Sequence, residues 1–150
     1  MGMIIGPLSV RRSILIMAPP SRVWAEFESF DKISLWFGRG HELHVFEPRV
    51  FGRVEMSVEI SGERRKYGGE IIAFEPEQEV SMTINWHAPY AWAVPTIWTI
   101  RLSPLYEGTM VEIFHHGFER LGPEAADNLQ GYEDGWDIKH LKALRAIVEQ

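Results

Sequence analysis

Hydrophobic and polar residues alternate along most of this chain with the period of two that is typical of β-strands. The pattern predicts strands over residues 8–17, 41–48, 52–60, 67–74, 80–86, 96–103 and 109–117. Turn-forming residues separate several of them, such as Gly62 after the third strand and Pro76 after the fourth. Strands joined by short turns run antiparallel, so we expect one antiparallel sheet of about six to seven strands.

Two short helices are predicted between the first and second strands. The pair Pro19-Pro20 ends the first strand because proline cannot donate to a strand ladder. Ser21 is expected to cap a helix that runs to Glu28, and a second helix follows and ends at Gly38. The side of these helices that faces the core is expected to carry Val23, Trp24, Phe27, Phe30, Ile33, Trp36 and Phe37.

The C-terminal segment is predicted to form one long amphipathic helix. Pro123 is suited to the first turn, because its missing N–H falls among donors that have no partner there. An apolar stripe follows at helical spacing, formed by Leu129, Tyr132, Trp136, Leu144 and Ile147. Such a helix, coming after an antiparallel sheet, is expected to lie across the concave side of that sheet. The predicted class is therefore α+β, with the helices on one face of a curved sheet.

Composition narrows the functional classes. The chain has 150 residues, so we expect a single domain over residues 1–150 with its own hydrophobic core. A net charge of −6 argues against a nucleic-acid partner, which needs a clustered basic face. The absence of cysteine excludes disulfides, thiolate zinc sites and cysteine nucleophiles. No apolar run is long enough to span a membrane and no signal-peptide pattern is present, so a cytoplasmic location is expected.

Several motifs resemble one protein family. They are Ala18-Pro19-Pro20 followed by Val23-Trp24, then Leu35-Trp36-Phe37-Gly38, the segments 69–76 and 109–118, and Gly135-Trp136. Their order is similar to that of the helix-grip (START/Bet-v-like, SRPBCC) superfamily. Within that superfamily, the motifs resemble the branch named after the activator of the ninety-kilodalton heat-shock chaperone's ATPase. The resemblance implies a hydrophobic cavity between the sheet and the long helix, and it implies much less about function.

One position departs from the family pattern. The family usually has a leucine four residues after the tryptophan of the Gly-Trp motif, and here His140 occupies that place. Because each helical residue turns by about 100°, His140 lies on nearly the same side as Trp136 and is expected to face the sheet. Glu133 is expected on that side too.

Four polar residues are therefore expected in the interior: Glu70, His115, Glu133 and His140. A carboxylate beside an imidazole in a dry cavity would form an acid–base pair, because burial shifts both pKa values. The alternative is that Glu133 or His140 reaches water at the edge of the helix while His115 is hydrogen-bonded within the core.

The inward-facing aromatic side chains favour a ligand site, since flat rings offer apolar area and an N–H group that can orient a ligand. The alternative is that the same rings fill the space. The predicted ligand-binding residues are Trp36, Glu70, Met82, Ile84, Trp86, Trp98, Ile100, His115, Tyr132, Glu133, Trp136 and His140.

Other chemistries find little support in the sequence. His115 and His116 are neighbours on a strand and point to opposite faces, so they cannot both ligate one metal ion. No zinc-protease, Gly-x-Ser-x-Gly or phosphate-loop motif is present. The sequence therefore predicts no metal site, no cofactor and no catalytic serine.

Three functional hypotheses remain. The first is a non-enzymatic protein that binds a small apolar, lipid-like or aromatic ligand. The second is a cyclase, dehydratase or hydrolase that uses the interior histidines with a carboxylate. The third is a chaperone-interacting stress-response module, as the resemblance implies. A homodimer is compatible with each of them.

Overall fold

The computed structural model describes residues 9–38, 40–124 and 136–150. The strands are β1 (Ser9–Ile16), β2 (Glu42–Phe46), β3 (Arg53–Ile60), β4 (Glu63–Glu75), β5 (Glu79–Trp86), β6 (Thr96–Leu105) and β7 (Gly108–His116). The α-helices are α1 (Pro20–Trp24), α2 (Phe30–Ile33) and α3 (Trp136–Val148), and Ala25–Phe27 and Phe118–Glu124 form 3-10 segments.

The seven strands form one antiparallel sheet in the order β1-β7-β6-β5-β4-β3-β2. Two β-bulges, between Leu43 and Val45 and between Ile71 and Ala73, interrupt the register and bend the sheet. Helix α3 lies against β1 and α1. The predicted α+β layout, a curved antiparallel sheet with two short helices after the first strand and a C-terminal helix, is confirmed.

Helix α3 buries one face against the sheet. His140, Leu141 and Leu144 are fully buried and Ile147 is partly buried against the same core, which confirms this part of the predicted stripe. Leu129 and Tyr132 lie outside the described residues. Within the described ranges, no helix is long and apolar enough to cross a membrane.

The core is built largely from aromatic rings. Trp24 stacks on Phe27 with ring centroids 5.0 Å apart, and Phe27 packs against Trp36 at 4.9 Å. The indole N–H of Trp36 donates to the backbone carbonyl of Glu26 at 2.9 Å, so its one polar atom is paired although the ring is fully buried. The predicted inward positions on β5 and β6 are confirmed, because Met82, Ile84, Trp98 and Ile100 are all buried.

Three details of the predicted helices are wrong. Ser21 does not cap α1: the helix begins one residue earlier, at Pro20, whose ring already holds the helical φ. Phe30 is 38% exposed because it is the first residue of a helix of only four residues, at the protein surface. Pro123 lies in a 3-10 segment, since Gly122 with a φ of 73° breaks the helical geometry just before it.

Strand β4 is longer than predicted. The pattern of alternation placed its start at Tyr67, whereas the strand begins at Glu63 and pairs with β3 as far as Ile60. Ser61 and Gly62 both have positive φ, 53° and 78°, which suits a tight two-residue hairpin. The charged residues at positions 63–66 therefore pair with β3 through their backbones, even though polar and apolar side chains do not alternate among them.

Candidate functional site

Polar groups of the interior gather at one end of the sheet. Register places Tyr67 opposite Trp86 on β4 and β5, and Trp98 opposite His115 on β6 and β7. Helix α3 contributes His140 to the same region, where its ring meets that of Trp98.

The first polar contact joins His41 and Tyr67. The imidazole Nδ1 of His41 lies 2.6 Å from the hydroxyl of Tyr67, and the two rings meet edge to face. Tyr67 is 2% exposed and packs against Trp86 with ring centroids 4.9 Å apart, whereas His41 is half-buried. This pair was not predicted: the alternation placed His41 at the start of a strand, whereas His41 lies in the bend before β2, where periodicity does not indicate the direction of a side chain.

The second polar contact anchors His140 to the turn after α2. The backbone N–H of Gly38 donates to Nδ1 of His140 at 2.8 Å, so this nitrogen is the acceptor of the ring. A side chain at Gly38 would place a Cβ 2.4 Å from Cε of Met56, and its φ is 75°, so glycine is required here. The ring of His140 stacks on Phe37 at 5.1 Å and meets Trp98 edge to face at 6.4 Å.

The third polar contact involves His115. Its Nε2 lies 2.8 Å from the hydroxyl of Thr96, which is itself 3.3 Å from the carbonyl oxygen of Ile84. The ring of Phe118 packs on the imidazole at 4.6 Å. The hydroxyl of Thr96 therefore links the histidine to the backbone of β5 inside the core.

Burial keeps all three imidazoles neutral at physiological pH. Desolvation by burial, with a smaller contribution from His116, lowers the pKa of His115 from 6.5 to about 3. Burial also lowers the pKa of His140 to about 3, although a hydrogen bond with the backbone of Trp36 opposes the shift. Burial and the nearby charge of Lys139 lower the pKa of His41 to about 4.

Of the four polar residues predicted in the interior, the structure confirms the inward position of two. His115 and His140 face inward as expected, with no exposed surface. Glu70 is exposed, so its predicted inward position is wrong: Tyr67 and Ile71 are buried, and the residue next to Ile71 on the strand must point to the opposite face. An acid–base pair with Glu70 is thereby excluded. Glu133 lies outside the described residues, and its pairing with a histidine stays a prediction.

The predicted apolar set is largely interior. Trp36, Met82, Ile84, Trp98 and Ile100 are fully buried, and Trp86 is partly exposed at the edge of the core. Tyr132 and the side chain of Trp136 lie outside what the structure describes. In the described parts of the chain, no group of three or more histidine, aspartate or glutamate side chains is arranged to hold a metal ion.

Comparison with solved structures supports the fold. A protein from Chromobacterium violaceum is 27% identical, with a TM-score of 0.70 over 95% of this chain and 98% of its own. A Mesorhizobium loti protein is 23% identical, with a TM-score of 0.70 over 94% of this chain and 96% of its own. An Arthrobacter aurescens protein shares the fold at 18% identity, with a TM-score of 0.74 over 95% and 86% of the two chains.

A search of curated proteins found no match. The model of one family, described as Activator of Hsp90 ATPase homolog 1-like protein, matches residues 17–149. The match runs from the end of β1 to the end of α3, and it therefore includes every residue of the three polar contacts. This chain belongs to the family of Activator of Hsp90 ATPase homolog 1-like proteins.

Proposed function

We propose that this protein binds a small apolar or aromatic ligand between the sheet and the C-terminal helix, at the end of the interior where the polar groups gather. The observation that carries the proposal is the contact between the half-buried His41 and the buried Tyr67 beside Trp86. Ligand sites in proteins are mostly apolar and contain a few placed polar groups that fix the orientation of the ligand. Trp86 and His41 are partly exposed, and they mark the end at which a ligand enters.

The chemistry of this region favours a ligand without a net charge. The imidazoles of His41, His115 and His140 are neutral near pH 7, because the pKa of each is lowered to about 4 or below. A charged ligand would lose its hydration there, and the neutral imidazoles offer no full charge in return. The charge of Lys139, which reaches His41, would in addition disfavour a cationic ligand. An aromatic ring system with one hydroxyl or carbonyl group matches both the rings and the hydrogen-bonding pair.

Native mass spectrometry of the purified full chain tests the proposal. We expect a bound molecule that is released on denaturation, or the uptake of a neutral aromatic probe such as 1-naphthol. A probe at 100 times its Kd should stabilise the protein by about 2.7 kcal/mol, which corresponds to a rise in melting temperature of roughly 5–10 °C. The absence of any retained molecule, together with no thermal shift across a panel of neutral aromatic probes, would contradict ligand binding.

Tyr67→Phe is expected to weaken binding of 1-naphthol without unfolding the protein. The change removes only the hydroxyl that contacts His41, so the loss should correspond to one hydrogen bond, about 0.5–1.5 kcal/mol or roughly a twofold to tenfold higher Kd. Tyr106→Phe is the matched control, since Tyr106 is 94% exposed at the hairpin between β6 and β7. Equal Kd values for the two variants in a tryptophan-fluorescence titration would argue against a role for Tyr67.

A further inference from the structure

A second cluster of reactive groups lies on the opposite face of the sheet. Ser57 stands in β3, between Glu42 of β2 and Lys66 of β4 in the register of the sheet. Its neighbour Met56 is buried in the core, so the side chain of Ser57 points to the outer face. Ser57 nevertheless has no exposed surface, because the side chains of His44 and Arg64 contact its hydroxyl.

Two side chains form hydrogen bonds with the hydroxyl of Ser57. A guanidinium N–H of Arg64 donates to Oγ of Ser57 at 3.1 Å, since arginine has no acceptor. In the tautomer of His44 whose Nε2 carries no hydrogen, the serine hydroxyl donates its proton to Nε2, 2.7 Å away. Accepting this proton places the ring hydrogen of neutral His44 on Nδ1, which lies 3.9 Å from a carboxylate oxygen of Glu42. Serine and histidine thus stand as a nucleophile and its base, and the carboxylate of Glu42 lies on the far side of the imidazole at an electrostatic rather than a hydrogen-bond distance.

The backbone explains how His44 reaches Ser57. A β-bulge between Leu43 and Val45 interrupts the pairing of β2 with β3 at His44. Bulges redirect a side chain relative to a regular strand. Alternation along β2 places His44 on the outer face, where it is found exposed, but alternation alone does not indicate that His44 meets Ser57.

We propose that Ser57 is the nucleophile of a site that hydrolyses small acyl esters, with His44 as general base and Glu42 as its positioning residue. Oγ of Ser57 forms a bond to the acyl carbon while its proton passes to Nε2 of His44. His44 then gives that proton to the leaving oxygen as the ester C–O bond breaks. Water attacks the acyl-serine, its proton passes to His44, and Oγ of Ser57 regains a proton as the carboxylic acid leaves.

A cleft beside the cluster offers room for a small substrate. It encloses about 260 Å³ and is lined by His44, Glu55, Met56, Lys66 and His87. The carboxylate of Glu55 is paired with Arg53, which offsets its charge. Access to Oγ requires a rotation of Arg64, whose half-exposed side chain contacts Ser57 and pairs with the exposed Glu42 and Glu59. Exposed ion pairs of this kind are weak, and surface side chains change rotamer within nanoseconds.

A fluorophosphonate probe tests whether Ser57 is activated. The reaction forms an Oγ–P bond and breaks the P–F bond, fluoride leaves, and His44 takes the serine proton. We expect peptide mass spectrometry of the labelled full chain to locate the adduct on Ser57. Ser81 is the internal control, because its hydroxyl is bonded to Thr99 at 2.7 Å and not to an imidazole. No adduct on Ser57, or equal labelling of Ser57 and Ser81, would overturn the proposal.

Variants of His44 and Glu42 distinguish a catalytic role of these side chains from a purely structural one. His44→Gln is expected to slow the hydrolysis of 4-nitrophenyl acetate by about 10²–10⁴-fold, the usual contribution of a general base. Glu42→Gln should slow it less, and Glu42→Asp should restore part of the rate, which a merely structural carboxylate would not do. Unchanged rates in His44→Gln, with an unchanged melting temperature, would show that the serine is only a structural hydrogen-bonding group. The site lies outside the interior, so this outcome would leave the proposed ligand site untouched.

Discussion

Replacing Trp36 with alanine is expected to lower the free energy of unfolding by about 3–5 kcal/mol, the range found when a large aromatic side chain is removed from a core. Trp36 has no exposed surface and contacts both Phe27 and Phe37 with ring centroids 4.9 and 5.9 Å away. The change also leaves the buried carbonyl of Glu26 without its donor. Urea denaturation followed by circular dichroism measures the loss.

Leu35→Ala is the matched control for this prediction. Leu35 precedes Trp36 in the chain and is 57% exposed, so its truncation should change the free energy of unfolding by no more than about 0.5 kcal/mol. A similar decrease in the free energy of unfolding in the two variants would mean that burial of Trp36 in the aromatic core does not stabilise the protein as predicted.

Stability is expected to fall steeply as the pH drops below about 6.5. The pKa of His115 and of His140 is about 3 in the folded protein, compared with 6.5 for an ordinary histidine. Between these values the unfolded chain binds protons that the folded chain does not, so acid favours unfolding. Each of the two histidines should reduce the free energy of unfolding by about 1.4 kcal/mol for each pH unit that the pH falls within this window. Above pH 6.5 both are neutral in the folded and the unfolded chain, so they cause no further change in stability.

His140→Leu isolates one of these contributions. Carboxylates also titrate in this range, so the informative quantity is the difference in slope between the variant and the natural protein in urea denaturation at pH 4.5–6.5. We expect the variant to be less stable near pH 7 by about 1–3 kcal/mol, because the N–H of Gly38 loses its acceptor. Its stability should nevertheless depend less on pH, and parallel slopes would show that His140 does not stay neutral in the folded state.

The periodic parts of the fold could be predicted from the sequence because each depends on neighbouring residues alone. Met82 and Ile84 alternate with polar residues, and a strand with one buried face has only one register that places both inward. The inward direction of His140 followed in the same way from helical geometry, and its complete burial agrees. Glu70 shows how an error of one position misplaces a side chain. Neighbouring residues on a strand point to opposite faces, so Glu70 is exposed whereas Ile71 is buried.

Contacts between elements could not be predicted in this way. His41 meets Tyr67 across 26 positions of sequence, and His44 meets Ser57 across 13. The first pair needs a turn whose direction periodicity does not describe, and the second needs a β-bulge in β2. The search for a catalytic serine by sequence motif therefore found none, although the folded sheet places a serine beside a histidine.

By itself, the sequence determined the α+β class, the strands and the face on which most side chains lie, because hydrophobic periodicity records which side of each element is buried. Only the tertiary structure decided which polar groups meet. Gly38 donates to His140, Tyr67 contacts His41, and Ser57 contacts His44. These contacts depend on strand register, bulges and turns. The pairing of the whole sheet and the packing of its helix determine those features, and a local pattern of residues does not contain that information.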